Sequence, residues 1–377
     1  MKILIIALSD LGRDPRVHRQ ISHLRRKHEV TCIGLQPAGF DNVRFRQVRT
    51  ITDPVRKIRA ATALALHRYH SLSQQIPIAL HRMEAEISEE EYDVIIANDI
   101  ETISFAFKIK GNAKVILDAH EYAPSEFEDS LKWTVLNKRY TEYLCSEFLP
   151  RCDAVITVCE GIADLYQRKF QVKPAVITNA SPYLDLKPNP VAESRIRIVH
   201  HGGAHPSRKI EEMIRMMDLV DQRFTLDLML VPIAGYQSYY NELHDMAKDR
   251  KNVTVRAPVP MTEIVREINQ YDIGIYLLEQ NNINNKYSLP NKFFEFVQAR
   301  LAVAIGPSPE MVRLVREFGF GVIGQDFSAE SLADRLNQLT PQEVWELKMA
   351  SNAAASILSS EANMTILDSI LEEIIQQ

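Results

Sequence analysis

The chain has 377 residues, 46% of them hydrophobic and 25% charged, with a formal net charge of −5. This is ordinary globular usage, and the length suits two domains of about 150–200 residues better than one core. No apolar run reaches the ~18–20 residues of a membrane span, no Gly-x-Gly-x-x-Gly follows the first strand, which argues against a dinucleotide oxidoreductase, and Cys32, Cys145, Cys152 and Cys159 show no zinc spacing and read as buried free thiols of a reducing compartment.

The charge is unevenly spread. Residues 1–70 hold 14 Lys/Arg against 5 Asp/Glu, and the remainder 30 against 44. A basic amino-terminal region suggests an anionic partner such as a lipid headgroup, a lipid-linked phosphate or an acidic polymer, or else is a solvated face. No nucleic-acid partner is expected. The opening MKILIIALSD is apolar only from Ile3 to Leu8, too short for a signal peptide, and reads as a buried strand. The expected location is cytoplasmic, with peripheral contact at the inner membrane face as an option.

In chain order, strands are expected at 2–7, 29–34, 43–47, 93–97, 114–118, 154–158 and 175–178, with helical stretches at 15–27, 56–87 and 131–149 between them. Stretch 56–87 mixes Arg56, Lys57, Arg59 and Arg68 with Ile58, Leu64, Leu66 and Tyr69; it suits an interfacial helix or a helix covering the sheet. Residues 180–194, with three prolines, read as a linker. The alternation then restarts: strands at 196–201, 225–231, 252–256, 273–277, 302–305 and 320–323, helices at 208–221, 236–249, 261–269, 290–299 and 309–317, and helices through 341–376. The expected fold is therefore α/β, with two Rossmann-like parallel-sheet domains at 1–182 and 195–345, helices at 346–377 able to pack back on the first domain, and ligands at the carboxyl ends of the strands in a cleft between the sheets.

Several strand ends carry polar residues. Asp14-Pro15-Arg16 has an acidic cap and a proline at the first helical position, a well-capped helix or an acceptor-facing helix start. Asn98 and Asp99 end one strand, and Asp118, His120 and Glu121 end the next; His120 there can meet a sugar hydroxyl or a developing charge. In RIVHHGGAHPSRKIEEMI, Gly202 and Gly203 allow close approach of the backbone to a ligand. Arg208 and Lys209 sit at a helix start, where cations are disfavoured unless an anion is bound. In NNINNKYSLPNKFFEFVQARL, the backbone of Ser288, Leu289, Pro290 and Asn291 opens a helix. Glu295 lies one turn on among phenylalanines, an acid that needs a partner; a ribose diol supplies one. Arg256 to Val259 follows a strand and is a place for a nucleobase.

Taken in order, Asp14-Pro15-Arg16-Val17, Asn179, Gly202-Gly203 with Arg208-Lys209, Leu289-Pro290-Asn291-Lys292-Phe293-Phe294-Glu295-Phe296 and Pro309-Glu310 resemble the motifs of the retaining GT-B glycosyltransferases of family four, and the similarity spans nearly the whole chain. The resemblance implies a GT-B fold. It implies that Glu295 binds the donor ribose, that Arg208 and Lys209 bind the diphosphate, Arg208 first, and that His120 contacts the donor sugar. It further implies transfer, with retention, from a UDP- or GDP-linked sugar to a carbohydrate or lipid-linked acceptor, as in surface polysaccharide or glycoconjugate synthesis. Asp14, Arg16, Asn98 and Asp99 are then acceptor-side candidates. The family's first glutamate, eight positions before Glu295, is replaced by Tyr287, and Arg300 stands where glycine is common.

The diphosphate charge is expected to be met by Arg208, Lys209 and the helix start at Leu289–Asn291, with no metal and no cofactor beyond the nucleotide-sugar substrate. Two other readings share the fold: a nucleotide-sugar epimerase, and a catalytically silent binding or scaffold subunit, the latter suggested by Tyr287.

Overall fold

The computed structural model describes residues 1–48, 54–74, 80 and 83–376, and they divide into two compact units: Met1–Thr178 with Met364–Gln377, and Asn179–Asn363. In the first unit the strands are β1 (Lys2–Ile6), β2 (Glu29–Gly34), β3 (Arg44–Gln47), β4 (Val94–Asn98), β5 (Lys114–Ala119), β6 (Ala154–Thr157) and β7 (Ala175–Val176), in the order β3-β2-β1-β4-β5-β6-β7. In the second they are β8 (Ile196–Gly203), β9 (Phe224–Val231), β10 (Val253–Arg256), β11 (Ile273–Tyr276), β12 (Ala302–Ile305) and β13 (Gly321–Ile323), in the order β10-β9-β8-β11-β12-β13. Every pairing between named strands is parallel. The central strands are runs such as KILII and VIIAN, buried almost throughout, as strands covered on both faces must be.

Both sheets reverse direction beside their first strand, at β1/β4 and at β8/β11. At such a switch point the flanking connections leave toward opposite faces and open a crevice at the carboxyl ends of the strands. The topology thus selects Asn98 and Asp99 in one unit and Gly202 and Gly203 in the other.

The final helix, Ser360–Gln376, enters the first unit from Met364 onward. Its Met364, Leu367, Leu371 and Ile374 join Ile3, Ile5, Val17 and Ile21 in one buried cluster. Asp368 accepts from His23 Nε2 and Lys27 Nζ, both at 2.7 Å.

Three expected helices differ. Stretch 56–87 is cut: Pro54–Ala65 ends before His67, whose φ of 52° is left-handed, and Tyr69–Gln74 and Met83–Ser88 follow; residues 75–79 and 81–82 lie outside the described residues. Stretch 131–149 is two helices meeting at Asn137. The helix expected at 208–221 begins only at Ile210, because Lys209 has a φ of 49°, and ends at Met216. Arg208 belongs to a 3-10 turn, Pro206–Arg208, ahead of it.

Arg300 explains its departure from glycine. It follows the Asn291–Gln298 helix with a φ of 62°, the left-handed cap that favours glycine. Its side chain is 1% exposed and binds the carbonyls of Gln298 and Leu184 and the Asn352 Oδ1. The guanidinium thus offsets the backbone strain by tying a helix end to two other segments of its unit. Arg300→Ala loses these bonds and keeps the strain; Arg300→Gly loses them and relieves it. Both variants are expected to unfold at lower denaturant, with Arg300→Gly about 1 kcal/mol the more stable of the two. Equal midpoints for the two variants in urea melts would remove the strain from this explanation.

Candidate active site

In the second unit, β8 runs to its switch point and ends in Gly202 and Gly203. Gly202 has a φ of 126°, open only to glycine. A Cβ there would lie 3.2 Å from both Arg208 Nη1 and Lys292 Nζ, and a Cβ on Gly203 would lie 2.6 Å from Ile233. The two glycines leave the strand end bare so that two cations can close on it. Arg208 Nη1 donates to the Gly203 carbonyl at 2.9 Å, which fixes the guanidinium over the turn. Lys209 is half-buried, and its left-handed backbone caps the next helix. The cation beside Arg208 at Gly202 is Lys292.

Lys292 sits in the first turn of the Asn291–Gln298 helix, whose cap residue is Pro290. It is 7% exposed, and its Nζ has no hydrogen-bond partner among the described residues. It lies 4.7 Å from the centre of the Tyr276 ring. Burial, and then Arg208, hold the Lys292 amine well below the usual lysine range, while Glu295 opposes them. A buried cation at the positive end of a helix beside another cation is a seat for an anion.

Glu295, one turn on, places Oε2 3.3 Å from His201 Nε2. Burial, Lys292 and Arg208 push His201 down to about 3, so it is neutral at pH 7 and the contact is not an ion pair. His200 is also buried and held low, first by burial and then by Lys292; its Nδ1 is 3.0 Å from the Ile275 carbonyl. The helix lies flush on the sheet because Gly274 leaves room for Phe296, whose ring a Cβ would meet at 2.2 Å. Leu289 is buried and its carbonyl accepts from Asn179 Nδ2 at 3.3 Å. Tyr287 and Ser288 are half-buried, and Tyr287 ends the short Ile283–Lys286 helix formed by the asparagine-rich run. Arg256 is exposed and bonded to Asp227 at the end of β10, and Val259 is half-buried in the loop beyond.

In the first unit, Asp14 caps the Pro15–Leu24 helix through the amides of Arg16 and Val17. Arg16 is 7% exposed and forks onto Asp118, with bonds of 2.7 to 3.0 Å, while its Nη1 donates to the Ile177 carbonyl. Both are candidates for the acceptor side; Arg16 joins the first helix to β5 and to the residue after β7, and Asp14 caps that helix. Next to them, Gln20 Nε2 lies 3.2 Å from Asp118 Oδ2, Asn98 Nδ2 lies 3.3 Å from Gln20 Oε1, and His120 Nε2 lies 3.0 Å from Asn98 Oδ1. His120 Nδ1 is 3.4 Å from Asp99 Oδ2. Asp99 has a φ of 64° and ψ of 152°, a region almost confined to glycine, so the turn after β4 is strained where its carboxyl meets the histidine. Glu126, half-buried nearby, is pushed up to about 8 by burial and by Glu101 and Glu121.

Among the described residues no group of three or more His, Cys, Asp or Glu side chains converges to hold a metal. Lys292, His201, Tyr276 and Gln20 were not singled out from the sequence. The signal for Lys292 was present: like Arg208, it is a cation where a helix start disfavours one.

The sequence model of Glycosyltransferase Family 4 matches residues 16–181. Comparison with curated proteins yields no match. Among solved structures, the chain is similar to Anabaena Alr3699/HepE in complex with UDP and glucose, at 14% identity and a TM-score of 0.73 over 99% of this chain and 100% of that one. It is also similar to a glycosyltransferase from Rickettsia africae, at 11% identity and 0.73 over 100% and 99%. A third is the E. coli protein described as trehalose-6-phosphate bound with UDP-2-fluoro glucose, at 10% and 0.69 over 98% and 99%. The chain has the GT-B fold, two parallel-sheet α/β domains of seven and six strands.

Lys292→Met is expected to weaken nucleoside-diphosphate binding about ten- to a hundredfold, the loss of a charge-assisted contact of about 1.5–3 kcal/mol. The lowered Lys292 amine should regain a proton when an anion arrives. Between the lowered pKa of the free lysine and its higher pKa in the complex, binding therefore takes up protons, and affinity falls as pH rises through that window. Calorimetry in buffers of different ionisation heat should show this uptake in the parent and not in Lys292→Met; identical uptake in both would exclude Lys292.

Proposed function

We propose that this protein is a glycosyltransferase that takes a sugar from a UDP- or GDP-linked donor and passes it to a hydroxyl of a carbohydrate or lipid-linked acceptor. The observation that carries this reading is the approach of Arg208 and Lys292 to Gly202, with the Lys292 amine buried and unbonded. When the glycosidic bond to the donor breaks, negative charge gathers on the departing diphosphate. Fixed cations at that place bind the added negative charge of the transition state more tightly than the less charged donor and so lower the barrier. In this proposal the protein's own cations meet that charge without a metal ion. Glu295 accepts the ribose hydroxyls, and the Arg256–Val259 loop receives the base. On the other sheet, His120, Asn98 and Asp99 handle hydroxyls of the sugars, and Asp14 and Arg16 hold the strand ends in place.

The UDP and UDP-sugar complexes among the similar folds support a UDP-linked donor. Retention of configuration rests on the motif resemblance. A role in polysaccharide or glycoconjugate synthesis follows from the same motifs. A peripheral membrane contact is supported by the basic amino-terminal stretch and by Val55, Ile58 and Leu66, which are 57–66% exposed.

The test is turnover of a panel of UDP- and GDP-sugars, read as nucleoside diphosphate released with acceptor present. Arg208→Ala should lower kcat about a hundredfold, and Glu295→Ala should chiefly raise KM. Release unaffected by both variants would dispose of the site. Isomerised donor in place of transfer would point to an epimerase, and no donor binding at all to a silent subunit.

A further inference from the structure

The side chains behind His120 form a chain of contacts whose polarity is set at one end. Asp118 is gripped by the Arg16 fork, so its oxygens only accept. The Gln20 atom facing it at 3.2 Å must then be the amide nitrogen, and the other end of that amide must be its oxygen. The Asn98 atom facing that oxygen at 3.3 Å must be nitrogen. Asn98 therefore turns its oxygen toward His120, 3.0 Å from Nε2. An oxygen there requires a hydrogen on Nε2. Each amide has only two ends, so none can be turned without setting like against like.

We infer that Gln20 is a positioning residue which, through Asn98, holds His120 in the Nε2–H tautomer, so that the Nδ1 lone pair and Asp99 Oδ2, 3.4 Å apart, form a seat with two acceptors that takes a hydroxyl donor. The seat selects a sugar or acceptor hydroxyl that gives its hydrogen, and turns away carbonyls and phosphate oxygens. The strained backbone of Asp99 (φ 64°, ψ 152°) holds the second acceptor in place. The charged groups acting on the ring are Asp118, Arg16, Asp14 and Arg19, and those acting on Asp99 are Glu101, Glu126 and Asp118. Burial keeps His120 below its usual value, which favours the neutral ring, and leads the rise of Asp99 above its own, so the second acceptor gains strength as pH rises and the carboxylate forms.

The inference rests on the proposed function only for the identity of the hydroxyl; the tautomer itself is measured without substrate. In ¹⁵N-labelled full-length protein, two-bond ¹H–¹⁵N spectra report which ring nitrogen carries the hydrogen, with His120 assigned by the signals lost in His120→Gln. The expected result is a neutral His120 protonated on Nε2, with that form losing its dominance in Gln20→Leu as Asp99 draws the hydrogen to Nδ1. A parent His120 protonated on Nδ1 overturns the inference even if the variants do not fold, and so does a tautomer unchanged in folded Gln20→Leu. Loss of glycosyl transfer as an activity would leave these spectra unaltered, so the two claims fail separately.

Discussion

Two cations are held against one glycine at the end of β8, and one of them, Lys292, is buried with its amine unbonded. Burying a charge without a partner is among the more expensive things a fold can do. Much of the second unit serves this arrangement. Gly202 takes a backbone no other residue adopts readily, Gly274 lets the Lys292 helix lie on the sheet, and Arg300 pins that helix's far end. Burial and Arg208 hold the Lys292 amine low. An anion relieves both effects together, and a diphosphate is the anion that the two cations suit.

The first unit repeats the topology with opposite chemistry. Its switch point presents Asn98, Asp99 and His120, backed by the buried Arg16–Asp118 pair. In the proposed function, one strand end collects positive charge for a phosphate and the other collects acceptors for hydroxyls. That division matches the two needs of sugar transfer, a stabilised leaving group and an oriented hydroxyl.

Much of this was legible in the sequence. Every strand of both sheets was anticipated to within a few residues, because runs such as VIIAN and LDLML admit few other readings once prolines and glycines bound them. Helix boundaries were less legible. His67 and Lys209 take left-handed conformations that neither side chain advertises, so stretch 56–87 and the helix after Gly203 were drawn too long. Arg208 and Glu295 stand out in the sequence because their placement is awkward for a simple helix or core. Lys292, three residues before Glu295 in the same helix, is just as awkward but was not singled out. Gln20 could not be found this way, since its part depends on contacts with Asp118 and Asn98, 98 and 78 residues away.

The most direct test of the central claim is to count phosphates. Uridine, its monophosphate and its diphosphate are titrated in turn into the protein at low and high salt. The account predicts a large gain in affinity from monophosphate to diphosphate, lost in the double variant Arg208→Ala with Lys292→Met. Equal affinity for all three, or a diphosphate gain that survives the double variant, would contradict it.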